Sequence, residues 1–485
     1  MSQLMYTPIE DIPKIQGDVR SGFGSGKTKD IAFRKAQLLQ LAYLIKDNQQ
    51  RFRDALHADL GRPPTETDLF EIFVTLGEVR SAYDNVAKWA KTESAAFSLN
   101  WFAMSPAIRK EPKGVVLVIS PFNYPIYLLL TPLVGAISAG CAAVLKPSEQ
   151  APATAALLTE LLPRYLDPTV YRIVNGGIPE TTKILELPWD HIMYTGNGRV
   201  ARIIAAAAAK HLTPISTELG GKSPVVIDPK CDLKLAAKRI FWGKIANAGQ
   251  ICLSPDYVLV PRTFQDQFVA ALKEVHDSFF PEGPRASDSF SRIVSEQHTR
   301  RLKKLLEDTQ GTVVFGGEVD VEHKYVAPTV VRDVTERDSL MSEELFGPVL
   351  PIIPVEDVDE AIAIINRHDH PLALYVFSQD SKFKAKVFDN TQSGSAIANE
   401  VVIQAGAHGL PVGGVGPSGT GYYTGKYGFD MFTHHRATMD SQGWLDWVLG
   451  GRYPPYTAGS LSLLSKMLLP SFPARPKSLA NAPGS

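Results

Sequence analysis

The sequence predicts an α/β fold in which parallel sheets are covered by helices on both faces. Three observations carry this. From residue 113 short β-branched runs alternate with helical segments, which is the arithmetic of βαβ units. The alternation restarts after "STELGGKSPVVIDP", so a second α/β unit is expected from about residue 218. A chain of 485 residues also suffices for two or three domains, each with its own core.

Each element follows from its own pattern. Residues 28–60 place Ala36, Leu39, Ala42, Ile45, Phe52 and Leu56 at helical spacing, and 66–91 do likewise with acidic residues near the start; two helices are expected to lead the chain. Next come strand 115–120, a helix near 130–139, strand 142–146, helix 151–162, strand 170–174, helix 179–185, strand 190–194 and helix 198–210. No charge occurs from Val115 to Leu145, so hydropathy alone would suggest a membrane span. Pro121, Pro125, Pro132, Gly135 and Gly140 break that stretch into "VVLVIS", the turn "PFNYP", a helical piece and "AAVLK". The second unit reads as helix 232–245, strand 257–260, helices 263–279 and 295–308, strands 312–315 and 349–353, and helix 357–366. Residues 441–485 hold six prolines, four basic residues and one acidic residue. Their last fifteen residues are expected to form a flexible tail.

Composition removes several functions. Fifty Lys and Arg balance 51 Asp and Glu, so no overall field draws the chain to nucleic acid. Three cysteines (Cys141, Cys231, Cys252) in so long a chain suit a reducing compartment. The N-terminus carries early acidic residues and no apolar core before a cleavage site, so a cytoplasmic or cytosol-facing location is expected.

Two glycine patterns compete for a phosphate. "GVGPSG", 414–419, precedes no helix and reads as a structural loop. "GNGRVA", 196–201, follows "HIMY" and opens a helix, where Gly196, Asn197, Gly198, Arg199, Val200 and Ala201 could meet a pyrophosphate, or form only a tight turn. "LKPSE" ends a strand with Lys146 and Glu149, a carboxylate suited to two ribose hydroxyls. Cys252 in "GQICLSP" is a nucleophile or a packed thiol, and spacing alone favours packing. Glu218 in "ELGGK" sits before a flexible turn, as a catalytic carboxylate or a solvated strand-end charge. Asn123 in "SPFNYP" is a rigid amide suited to an oxyanion, or an Asx turn. Glu343 and Glu344 precede Phe346 in "SEELFGPVLPI". No metal site emerges, since His434 and His435 lack further ligands at metal spacing.

Taken in order, "SPFNYP", "LKPSE", "YTGNGRVA", "TELGGKSPVVI", "NAGQICLSPDYVLV", "EELFGPVLPI" and "LPVGGVGPSGTGYYTGKYGFDMFTHHRA" resemble the aldehyde dehydrogenase superfamily, most closely its class 3 or fatty aldehyde branch. The match runs from about residue 28 to about 456. The resemblance implies an aldehyde dehydrogenase-like fold: a Rossmann-type NAD(P)-binding domain (1–94 and 113–217), a catalytic domain (218–398), a β bridging element for oligomerisation (95–112 and 399–440) and a C-terminal tail (441–485). It implies Cys252 as nucleophile, Asn123 with the Cys252 N–H as oxyanion donors, and Glu218 as the base for thioester hydrolysis. Lys146 and Glu149 would hold the adenosine ribose, the Gly196–Ala201 turn would lie by the pyrophosphate, and Glu344 with Phe346 would meet the nicotinamide ribose. NAD is the expected coenzyme and NADP the alternative, because Glu149 disfavours a 2′-phosphate by charge. The family binds its coenzyme unlike a standard Rossmann enzyme, so the glycine match is partly fortuitous.

The expected reaction is oxidation of a hydrophobic aldehyde (long-chain aliphatic, aromatic or polyene) to its acid. A coenzyme A-acylating dehydrogenase and a non-catalytic binding protein are the alternatives. A homodimer follows by analogy. "SLSLLSKMLLPSF", 460–472, is too short to span a bilayer and could touch one peripherally, lid the partner's tunnel, or pack on its own subunit. Ala201, Ile251, Val412 and Thr424 depart from the family pattern, and Ile251 and Val412 are expected to reshape the substrate tunnel.

Overall fold

The computed structural model describes residues 3–474. Its first sheet contains strands β1 (Val115–Ile119), β2 (Ala142–Lys146), β3 (Tyr171–Ile173), β4 (His191–Gly196) and β5 (Ile215–Leu219), all parallel. The second contains β6 (Pro224–Ile227), β7 (Tyr257–Pro261), β8 (Thr312–Phe315), β9 (Thr329–Arg332), β10 (Val349–Val355), β11 (Ala373–Phe377) and β12 (Ser395–Ala398). Strand β13 (Gly419–Thr420) returns antiparallel to β5 and closes the edge of the first sheet. The orders are β13-β5-β4-β1-β2-β3 and β8-β9-β10-β7-β6-β11-β12.

The apolar run 115–145 is thus two strands and a helix, Tyr127–Ala139. β1 and β2 are buried along their whole length, because helices cover both faces of a parallel sheet. Among the described residues no helix is long and apolar enough to cross a membrane.

The leading helical region divides differently from its reading. Residues 28–60 form two helices, Ile31–Asp47 and Gln49–Leu60, because the chain leaves helical geometry at Asn48 (φ −118°, ψ 18°). A further helix, Ile12–Gly24, precedes them. The loop "GVGPSG" opens no helix. Its Gly419 packs so closely on β5 that a Cβ would stand 2.3 Å from the Thr217 carbonyl, so glycine is needed for this approach.

By contact density the chain forms two compact units. One holds residues up to Trp89 together with Pro112–Thr433, and contains both large sheets. The other holds Ala90–Glu111 and the residues from His434 onward. In it Glu93–Ser94 pairs antiparallel with Ala107–Pro112, in a three-stranded sheet completed by Thr433–Thr438. Met104, Leu445 and Leu449 form its small core. The helix Ala458–Leu468 buries none of its residues. The expected flexible tail falls mostly on residues 475–485, outside the described residues.

Candidate active site

The five parallel strands of the first sheet run 3-2-1-4-5 in chain order, so the chain reverses its direction of addition between β1 and β4. Open α/β sheets bind ligands in the crevice this creates at the carboxyl ends of the strands. A cavity of about 680 Å³ lies there, within the size range of cofactor sites. Ser120 after β1, Lys146 at the end of β2 and Thr195 in β4 line it.

Lys146 Nζ donates to Glu149 Oε2 at 2.6 Å, and both side chains face the cavity. Gly196, Asn197, Arg199 and Val200 line it as well, and Asn197 caps the following helix, its Oδ1 accepting from Val200 N at 3.0 Å. Gly198 and Ala201 do not line it; Gly198 opens that helix and Ala201 is buried within it. The glycine turn follows the fourth strand of the 3-2-1-4-5 order, whereas a Rossmann fingerprint follows the first. The loop after β1 instead carries Asn123.

Glu344 and Phe346 close another part of the wall. Their segment is held by Arg301, which donates to Glu343 Oε1 (3.0 Å), Glu344 O (3.3 Å) and Leu345 O (2.5 Å). Burial, with Asp256 nearby, pushes the Glu344 carboxyl up to about 8. Buried polar atoms without partners line this cavity, Ser120 Oγ and Asn123 Oδ1. Such orphans are rare in a folded interior and mark where a polar ligand is received. The size, the Lys146–Glu149 pair and these atoms fit a nicotinamide dinucleotide.

At the inner end Cys252 Sγ donates to Glu218 Oε1 at 3.4 Å. Glu218 lies in β5 and is 2% exposed; burial pushes its carboxyl up to about 7, although the Cys252 thiol and the Tyr423 and Thr195 hydroxyls partly offset this. Burial, together with the Glu218 and Glu344 charges, pushes the Cys252 thiol well above its ordinary range. The resting thiol is therefore protonated, and the adjacent carboxyl, poised near neutrality, can take its proton as a bond forms. Asn123 is buried, and its Nδ2 donates to Gln250 O at 3.0 Å, two residues before the thiol. That bond uses one of two amide N–H groups.

Sequence reasoning gave no role to Tyr423, Thr195 or Arg301. Thr195 and Tyr423 stand inside quoted motifs, Thr195 next to Gly196 and Tyr423 two residues after Gly421. Arg301 sits in a helix, Glu296–Asp308, with no local signal. A small apolar pocket is lined by Leu253, Ile397, Leu410 and Val412 among others, so Val412 does face open space next to the cysteine loop. Ile251 is buried and lines neither this pocket nor the larger cavity.

Residues 7–438 match the model of the aldehyde dehydrogenase family. The chain is 44% identical to aldehyde dehydrogenase family 3 member A2 of Mus musculus, covering 94% of this chain and 93% of that protein. It is 42% identical to the beta-apo-4'-carotenal oxygenase of Neurospora crassa, covering 95% and 86%. Among solved structures, the substrate-bound state of Staphylococcus aureus AldH superposes with a TM-score of 0.91 at 38% identity, covering 94% of this chain and 99% of that one. An aldehyde dehydrogenase of Mycobacterium tuberculosis complexed with NAD+ gives 0.81 at 26% identity, covering 90% and 92%. With a matching family model over most of its length and relatives this similar along nearly the whole chain, the protein belongs to the aldehyde dehydrogenase family.

Proposed function

We propose that the protein oxidises a hydrophobic aldehyde to its carboxylic acid with NAD(P)+, using Cys252 as nucleophile. The observation that carries this is the 3.4 Å contact between the Cys252 thiol and a carboxyl poised near pH 7, at the end of a dinucleotide-sized cavity. Glu218 takes the thiol proton as sulfur bonds to the aldehyde carbon, and the carbonyl electron pair moves onto oxygen. The free N–H of the Asn123 amide and the Cys252 backbone N–H stabilise that oxyanion. When bound, the nicotinamide ring supplies the hydride acceptor that turns the thiohemiacetal into a thioester. Glu218 gives up the thiol proton to solvent and, as carboxylate, deprotonates water, which attacks the thioester; the carbon–sulfur bond breaks, the acid leaves and the Cys252 thiolate is reprotonated.

Lys146 and Glu149 hold the adenosine ribose, Gly196, Asn197, Arg199 and Val200 flank the pyrophosphate, and Glu344 with Phe346 meets the nicotinamide ribose. The Glu149 charge favours NAD over NADP. In this reading residues 1–94 and 113–217 serve the coenzyme, 218–398 the chemistry, and 95–112 with 399–440 assembly into a homodimer. The Neurospora relative, whose name gives it an apocarotenal, supports a hydrophobic substrate. Water is favoured over coenzyme A as acyl acceptor because Glu218 already stands at the sulfur. The exposed leucines of Ala458–Leu468 support peripheral contact with a membrane on its cytosolic side.

The test is a panel of aliphatic, aromatic and polyene aldehydes of increasing length, assayed with each coenzyme. Highest kcat/KM for long apolar aldehydes with NAD is expected. Turnover restricted to small polar aldehydes sinks the substrate class, and aldehyde-dependent NADH formation by Cys252→Ala sinks the nucleophile.

A further inference from the structure

We propose that Arg62 and Asn247 form a buried clamp that holds Asn123 and the Cys252 loop in register, so that both are positioning residues for aldehyde addition. This rests on the roles given above to Cys252 and Asn123. Arg62 is fully buried, beyond the end of the helix Gln49–Leu60. Its guanidinium donates to Glu71 Oε1 at 2.5 Å and to Asn247 Oδ1 through Nε (3.2 Å) and Nη2 (2.7 Å). Nη2 also donates to the backbone carbonyl of Asn123. The cation lies 4.7 Å from the centroid of the Tyr124 ring. The other Glu71 oxygen accepts from Ile126 N (2.9 Å) and Tyr127 N (2.8 Å), where the helix after the Asn123 loop begins. One fork and its counterion therefore grip the Asn123 loop at both ends.

Asn247 grips the cysteine side. Its Nδ2 donates to Asn123 O and to Gln250 O, each at 3.1 Å, and that Gln250 carbonyl also receives the Asn123 amide. Glu66 Oε2 accepts from Asn247 N (2.9 Å) and from Ser291 Oγ (3.1 Å). The backbone between these anchors is strained. Asn247, Ala248 and Gly249 are consecutively left-handed, with φ of 51°, 51° and 75°. Two non-glycine residues in succession do not hold that conformation unless their surroundings over-determine it. Here the surroundings are Arg62, Glu66 and the Asn247 side chain, and three residues later the chain delivers Cys252. An ordinary buried ion pair would need none of the bonds to Asn123 and Asn247. Lysine, lacking the planar fork, could keep the charge opposite Glu71 but not the three-way geometry.

Asn247→Gly keeps the left-handed backbone and its N–H to Glu66 while removing all four side-chain bonds, the two from Arg62 and those to Asn123 O and Gln250 O. Arg62→Lys keeps the charge and loses the fork, and Arg62→Met removes both. In the full-length enzyme, with NAD affinity and melting temperature near wild type, Asn247→Gly is expected to slow the pre-steady-state burst of NADH about 10²-fold, in kcat far more than in KM. Arg62→Lys is expected to fall between wild type and Arg62→Met. A burst within about threefold of wild type in folded Asn247→Gly overturns the clamp, as does a loss that follows coenzyme affinity or the folded fraction. Should Arg62→Met not fold, Asn247→Gly decides alone. Cys252→Ala separates the two levels: NADH formation without the thiol removes the underlying assignment, whereas an inactive Cys252→Ala beside fast clamp variants removes only the clamp.

Discussion

Three side chains separated by 95 and 34 positions in the sequence, Asn123, Glu218 and Cys252, meet because β1, β5 and the loop before β7 end near one cavity. The Glu218 carboxyl near pH 7 predicts a kinetic limb: kcat rises through about pH 7 as the base ionises, and Glu218→Gln abolishes that limb along with most acid release. A profile flat from pH 6 to 8 in wild type would contradict it. The same shift has a stability cost of defined sign. The folded pKa lies above the ordinary 4.5, so the folded state binds the proton more tightly, and its advantage, complete below pH 4.5, is lost as pH rises through 7. Glu218→Gln is therefore expected to leave stability at pH 4.5 nearly unchanged and to raise it at pH 8 by up to about 3 kcal/mol, read by denaturant melts. Equal effects at both pH values would refute the linkage. Spacing made none of this convergence visible. Glu66 and Glu71 fell among the acidic residues near the start of a helix, and only packing shows that Glu71 is buried against the Asn123 loop and that half-buried Glu66 accepts from the cysteine turn.

At the scale of elements, strands were legible where burial on both faces made them continuous apolar runs. β2 falls on the expected residues 142–146, and β1, β4 and β10 agree within a few positions. β6, β9, β11 and β12 were not individually read, since period alone does not separate a short apolar run from a buried helix segment. The link between β5 and β6 shows why its glycines matter. A Cβ on Gly220 would stand 2.3 and 2.4 Å from the two carboxyl oxygens of Glu344. Those oxygens end a flexible side chain, so the fold tolerates Gly220→Ala while the carboxyl must swing away. The expected outcome is an unchanged melting temperature with a KM for NAD raised about tenfold, a loss of ordinary hydrogen-bond size. An unaltered KM for NAD would dissociate Glu344 from coenzyme binding.

At the scale of the whole molecule the near-zero net charge gives no long-range attraction to an anionic surface, so any membrane contact has to come from a local segment. The helix Ala458–Leu468 has the composition for one. Leu461, Leu463 and Leu468 are exposed, Leu469 and Phe472 follow them into solvent, and Lys466 is the helix's sole charged side chain. Burying a leucine side chain contributes about 1.5–3 kcal/mol, so a few of them give reversible adsorption and not an anchor. Deletion of 457–485 is therefore expected to abolish co-sedimentation with vesicles containing anionic lipid, to leave turnover of short soluble aldehydes intact, and to raise KM for long-chain aldehydes presented in those vesicles. Raised salt should weaken the intact protein's binding only modestly, because the apolar contribution is unscreened. If the truncated enzyme binds vesicles as before and handles long chains as before, the segment has neither role. If long-chain kinetics change while vesicle binding does not, the helix acts on substrate entry and not on the bilayer.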